Sequence, residues 1–255
     1  MFLGLLLCKK IRIISMIKND LINSVDTTDL FINKINIGAH LTSVQSKYCG
    51  IASTICDRQG PDKIVKNAGK LESLSISDLL NLLKSETLLE ASLGMAALNS
   101  VIAPPAKYHT GNAFDLIKLK ASEKNLGIIG HFHFVDRFKN YVKNCWVFEK
   151  SPNGNDLPAH KINEYLPRCD VVVITGQTII NNTLMEILSY SKSAFKILLG
   201  PSAPMSQVLY DYGINVIAGV KVLKCEQVNR YIRQGANFRQ LKGVELVMMA
   251  KDKIC

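Results

Sequence analysis

The sequence is short of the patterns that would settle a function at once. Its seven cysteines, Cys8, Cys49, Cys56, Cys145, Cys169, Cys225 and Cys255, form an odd set without a CxxC pair. Neither a zinc knuckle nor a disulfide framework is therefore predicted, and the expected compartment is a reducing cytoplasm. A serine-hydrolase GxSxG is absent. The glycine-rich GxGxxG of a dinucleotide site is also missing: the first candidate strand offers only Gly127 within it and Gly130 at its turn, followed by the bulky His131 and Phe132. No run of five like charges occurs, so a nucleic-acid partner is not expected despite a formal charge of +10. The apolar opening MFLGLLLC has no basic residues ahead of it and no small-residue cleavage site, and it is too short to span a bilayer. It predicts neither a signal peptide nor a membrane anchor. Residues 1–15 read either as an extension of the helix that follows or as an upstream start that the native protein does not use.

What is present describes a large folded chain. With 255 residues and 47% hydrophobic content, it can bury one large or two modest cores, and two domains are the better starting point. Both halves are basic: 12 Lys and Arg stand against 9 Asp and Glu up to Thr110, and 19 against 12 after it. That balance suits anionic small molecules.

The first half begins with helical spacing at Ile17, Leu21, Ile22 and Val25. It then changes to three strand-like runs, LFINKINIG, HLTSVQS and YCGIASTIC, which predict an antiparallel meander. Residues 57–75, with Gly60, Pro61 and Gly69, read as a loop. Ser77 is expected to cap a helix over Leu79 to Leu83, and a second helix, LLEASLGMAALNSVIA, is apolar enough to be buried. Gly94, Ala96 and Ala97 are expected to let it approach a sheet, with Asn99 as a structural amide and Pro104 and Pro105 ending it. Phe114 to Leu119 reads as an edge strand, with a domain boundary at Thr110 that separates residues 1–110 from 111–255.

Beyond that point strand and helix alternate five times, which predicts a parallel, doubly wound sheet. Its centre is DVVVITGQTIINN, Asp170 to Asn182, where Val171 to Ile174 suit a strand buried on both faces. Right-handed crossovers bring the strand-end loops GHFHF, EKSPNGND, TGQT and GPSAP to one edge, where ligands bind in such folds. Hydroxyls of Thr175, Thr178 and Ser202, with exposed amides at helix starts, would seat a carboxylate or phosphate. The same hydroxyls serve equally well as helix caps. His131 and His133 form an HxH pair able to ligate a transition or heavy metal, with Glu149, Asp156 and His40 as candidates to complete the site.

The runs CDVVVITGQTIINNTLMEIL, LLGPSAPMSQVLYDYGINVIAGVKV and FEKSPNGNDLPAHKINEYLPRCD resemble the family labelled putative heavy-metal chelation domain proteins. INIGAHLTSVQSKYCGIAST and LLEASLGMAALNSVI are similar to that family's amino-terminal domain. The resemblance implies a small α+β enolase N-terminal-like domain followed by a Rossmann-like α/β domain. It also implies a site in the cleft between the two that takes a metal or a metal-bearing anionic small molecule. Carried over by motif, the residues are Glu149, Asp156, Thr175, Gly176, Thr178, Asn181, Gly200, Pro201 and Ser202, and Gln177 joins them from its place in the TGQT loop. GHFHF departs from the family's aromatic and proline pattern, and NGND departs from its Gly-Asp pair. The alternatives are an enzyme acting on a nucleotide-like or pterin-like metabolite, with Glu149 or His131 as acid or base, and a regulatory or scaffolding protein without small-molecule chemistry. A homo-oligomer is compatible with all three.

Overall fold

A computed structural model describes residues 16–56, 64–138 and 140–252. The opening MFLGLLLC and part of the expected 57–75 loop lie outside the described residues. The first helix, α1, spans residues 16–23. The meander follows as β1 (Lys34–Ile37), β2 (Leu41–Gln45) and β3 (Cys49–Ser53), paired antiparallel in the order β1-β2-β3. Two helices complete this part, α2 (Ile76–Asn81) and α3 (Leu88–Val101).

The cap of α2 is Ser75, not Ser77. Ser75 Oγ accepts from the Asp78 N–H at 3.0 Å and donates to the Asp78 carboxylate at 2.6 Å, so serine and carboxylate hold the first turn together. Of the 14 residues of α3, 11 are buried, because the helix is packed on two sides. A Cβ on Gly94 would lie 2.1 Å from the Leu83 nitrogen, so that glycine admits the turn after α2 and not the sheet. The sheet is admitted by Gly50 on β3, where a Cβ would lie 2.2 Å from the Ala96 carbonyl oxygen.

The larger sheet has eight strands in the order β4-β11-β10-β9-β8-β5-β6-β7. They are β4 (His109–Thr110), β5 (Asn125–Ile129), β6 (Asn144–Glu149), β7 (Leu157–Pro158), β8 (Val171–Thr175), β9 (Phe195–Leu199), β10 (Val216–Val222) and β11 (Val244–Ala250). Strands β7, β6, β5, β8, β9 and β10 run parallel, while β11 and β4 are antiparallel additions at one edge. The segment Phe114–Ala121, read from sequence as an edge strand, is a helix, α4. Phe114, Ile117 and Ala121 recur at helical spacing and are buried, and the Asn112 side chain accepts the Phe114 N–H at 2.7 Å. The edge strand is His109–Thr110 instead.

Strand β8 shows why the sheet is the core. Val171 and Val173 point to one side, toward α4 and Phe138, while Val172 and Ile174 point to the other. That second side is covered by α5 (Ile162–Tyr165), α6 (Gln177–Ile180), α7 (Leu184–Tyr190) and α8 (Val208–Asp211), and its cluster continues into α1, α2 and α3. One apolar core therefore runs through both parts of the chain. The last helix, α9 (Cys225–Arg233), crosses back to the first part. Its Val228 and Ile232 pack on Leu41 and Ile51, so the three-stranded sheet lies between α3 and α9.

Candidate functional site

The chain leaves β5 for its neighbour β6 across one face of the sheet, through Phe134, Val135 and Phe138, and leaves β8 for its neighbour β9 across the other, through Ile179 and Ile180, so adjacent strands β5 and β8 send their following segments in opposite directions. A crevice opens at such a point beyond the carboxyl ends of the strands. Here it is a cavity of about 490 Å³, within the usual range for small-molecule sites. The loops after β5, β6, β8 and β9 all reach it. His40, Leu41 and Ser53 close it from the three-stranded sheet.

The structure places His131, His133, Glu149, Thr175, Gln177, Thr178, Asn181, Gly200, Pro201 and Ser202 along this one cavity. Asp156 and Gly176 stand behind its wall. Asp156 holds His131: its carboxylate oxygens lie 2.9 and 3.0 Å from His131 Nδ1, and the aspartate side chain is 5% exposed against 46% for the histidine. The Asn153 N–H donates to the same carboxylate at 3.2 Å. A carboxylate on Nδ1 fixes the ring and leaves Nε2 as the atom free for a ligand. Glu149 is a shaping residue, since one carboxylate oxygen accepts the His131 N–H at 2.7 Å and the other accepts the Lys150 N–H at 3.0 Å. His133 is exposed and stands edge-on to Phe134, with centroids 5.4 Å apart.

The hydroxyls expected to seat an anion have prior engagements. Thr178 is buried and donates to the Thr175 carbonyl at 2.7 Å, so it can offer a ligand only an acceptor. Ser202 is buried and accepts the Ser53 N–H at 2.8 Å, which staples the β9 loop to β3. Asn181 accepts from both the hydroxyl and the N–H of Thr183, at 2.6 and 3.3 Å, and its NH2 group remains to be offered. Helix α6 is a single turn, so its amino end carries little of a macrodipole. Gly176 has an ordinary helical backbone, φ −59°. It must be glycine because a Cβ would meet the Ser202 and Ala203 backbone at 2.5 Å. Gly130 does need its freedom, with φ +98° at the turn after β5. Asn99 is structural as expected, donating to the Ile51 and Pro201 carbonyls at 2.9 and 3.3 Å.

Sequence reasoning missed Arg239, an exposed cation on the rim. It sits in the turn Phe238–Gln240, held by a capping box in which Asn237 accepts the Arg239 N–H at 3.0 Å and Gln240 accepts the Asn237 N–H at 2.9 Å. The pattern Asn-x-x-Gln after Gly235 was the available signal. Around the cavity, the cations Lys150 and Arg239 face a single lining carboxylate, Glu149. That charge balance favours an anion. Much of the remaining wall is apolar, with Ile129, Phe134, Phe148 and Leu199 prominent. Among the described residues no group of three or more His, Cys, Asp or Glu side chains is arranged to hold a metal ion. The HxH pair therefore does not form a closed site with Glu149, Asp156 or His40.

These features define an α/β protein with an eight-stranded, mostly parallel sheet, a small antiparallel sheet, and a cavity where the two meet. Two family models, both described as putative heavy-metal chelation, match residues 18–102 and 112–251. The chain belongs to that family. It is 28% identical over 210 residues to an uncharacterised protein of Methanocaldococcus jannaschii, covering 77% of this chain and 79% of the other. Two solved structures, both of unknown function and from the family whose model covers residues 112–251, share the fold. The protein from Desulfitobacterium hafniense has a TM-score of 0.82 at 22% identity, over 92% of this chain and 98% of its own. The protein from Pyrococcus horikoshii has a TM-score of 0.79 at 21% identity, over 93% and 99%. Among the described residues no helix is long and apolar enough to cross a membrane.

Proposed function

We propose that the cavity binds a small anionic metabolite that brings a metal ion with it, the chain supplying one oriented imidazole and a basic rim in place of a complete coordination sphere. The reading takes residues 1–110 and 111–255 as two units whose facing edges are the walls of the site. The observation that carries it is His131. Its Nδ1 is locked on Asp156 at 2.9 Å, its backbone is tied to Glu149, and the ring stands at a cavity of about 490 Å³. A single neutral imidazole is a good donor to a transition metal but cannot by itself retain one. The absence of a third ligand among the described residues fits a metal that arrives already chelated. Lys150 and Arg239 then meet the negative charge of the chelate.

The test is a thermal-shift series with nickel, cobalt, copper and zinc chlorides, each alone and as its citrate complex, beside nucleotides and inorganic oxoanions. At least one complex is expected to raise the melting temperature more than its metal or citrate alone. His131→Ala should remove that excess. Equal shifts from metal and complex would sink the reading. A second reading, an enzyme acting on a nucleotide-like or pterin-like metabolite, is favoured by the same His131–Asp156 pair, which has the form of an oriented general base. Glu149 is less suited to that role because backbone N–H groups occupy both of its oxygens.

A further inference from the structure

The seam between the three-stranded sheet and α9 contains a feature that the cavity does not use. Alternation along β3 puts Cys49 on the same face as Ile51, which packs on Val228 and Ile232 of α9. Cys225 opens α9 three and four residues before Val228 and Asn229, on the helix face they share. Ser43, beside Ile51 in the sheet, bonds Asn229. One helical turn earlier Cys225 stands over the next row of the sheet, Lys34, Gln45 and Cys49, so the two thiols, 176 positions apart in the chain, face one another across the seam.

A buried polar chain fixes them there. Asn229, fully buried, donates to Cys225 Sγ at 3.4 Å and accepts from Ser43 Oγ at 2.8 Å. Asn36 donates to that same Ser43 oxygen at 3.2 Å. On the outside of the seam, Lys34 pairs with Glu226 at 2.9 Å. Side chains from β1, β2 and α9 thus hold the helix in one register on the sheet, which keeps the two thiols on the same side of one seam. Both cysteines are partly exposed, whereas Cys56 is exposed and Cys169 buried.

We propose that Cys49 and Cys225 are a modification site: a thiol pair that closes to a disulfide across this seam, with a low-molecular-weight disulfide such as oxidised glutathione as the oxidant. Burial, and then the neighbouring Cys225, raise the Cys49 thiol above the ordinary cysteine range, so the first attack is assigned to Cys225. Its thiolate displaces one glutathione thiolate and forms a mixed disulfide. Cys49 then loses its proton to solvent and attacks the Cys225 sulfur, the second glutathione thiolate leaves, and an S–S bond of about 2.0 Å closes across the seam. The two cysteines are oxidised by two electrons and one glutathione disulfide is reduced to two thiols. The bond ties β3, next to the cavity residue Ser53, to the helix that leads into Arg239 on the opposite rim.

The full chain is incubated with oxidised glutathione at neutral pH, alkylated and mapped by mass spectrometry. A linked peptide pair containing Cys49 and Cys225 is expected, reversible with dithiothreitol, while Cys56 takes only a glutathione adduct. The oxidised protein should melt at a higher temperature than the reduced one. In Cys49→Ser, Cys225 should stop at the mixed disulfide with no rise in melting temperature. Wild-type protein in which both residues remain alkylatable at equilibrium would overturn the proposal. So would a persistent adduct on Cys225 that never closes, or a link that forms only in denaturant. The wild-type map decides the matter even if a serine variant fails to fold.

Discussion

Replacing Lys18 should make stability depend on pH in a way that can be worked out in advance. The side chain leaves α1 into the core, 2% exposed, and Nζ donates to the Leu83 and Ile180 carbonyls at 2.7 and 3.2 Å. It ties the first helix to the turn after α2 and to the end of α6. Desolvation lowers its pKa from 10.5 to about 8. Between these values the unfolded chain holds a proton that the folded chain has released, so unfolding becomes harder as pH rises. The stabilisation is complete above about 10.5 and is lost as pH falls through about 8. At about 1.4 kcal/mol per pKa unit, the span amounts to roughly 3 kcal/mol. In Lys18→Met the two carbonyls lose their donor at every pH, a constant penalty that drops out of the slope. Denaturant unfolding of wild type and variant at pH 7, 8, 9 and 10 gives the difference directly. It should shift in favour of the wild type by about 2 kcal/mol or more across the series. A difference independent of pH would refute the burial argument.

The remaining predictions concern the close approaches and engaged hydroxyls around the site. Gly176→Ala should destabilise by about 2 kcal/mol or more, because its Cβ meets backbone that cannot rotate away; calorimetric melting checks this. Gly50→Ala should be at least as costly, since it drives α3 off the sheet. Ser202→Ala should cost about 1–3 kcal/mol of stability by leaving the Ser53 N–H without its acceptor. In denaturant titrations that loss should exceed the loss from Thr178→Val, which breaks only a local turn bond.

Much of this architecture was legible in the sequence, and its failures have physical causes. Val171 to Ile174 announce a strand buried on both faces, and the crossover rule then brings the strand-end loops to one edge without knowledge of any contact. Phe114 to Leu119 misled because Phe114 and Leu116 alternate like a strand, while the helical partner Ala121 lies beyond the window read. Strand β11 went unread because VELVMMA continues an antiparallel edge, whereas the preceding alternation of strand and helix predicts only parallel additions. The engagement of the Thr178 and Ser202 hydroxyls could not be read at all. Residue type gives a group's capacity to bond, and tertiary structure decides which partner takes it. Cys49 and Cys225 were invisible as a pair for the same reason, since no local spacing relates β3 to α9.

The central claim is that the cavity beside His131 receives a metal carried by an anionic chelator. It is tested most directly by anomalous scattering from crystals grown with the metal citrate complex that gives the largest thermal shift. The account predicts an anomalous peak inside the cavity, within bonding distance of His131 Nε2, with the chelate's carboxylates toward Lys150 and Arg239. A metal found only on surface histidines or cysteines, with the cavity holding none, would contradict it.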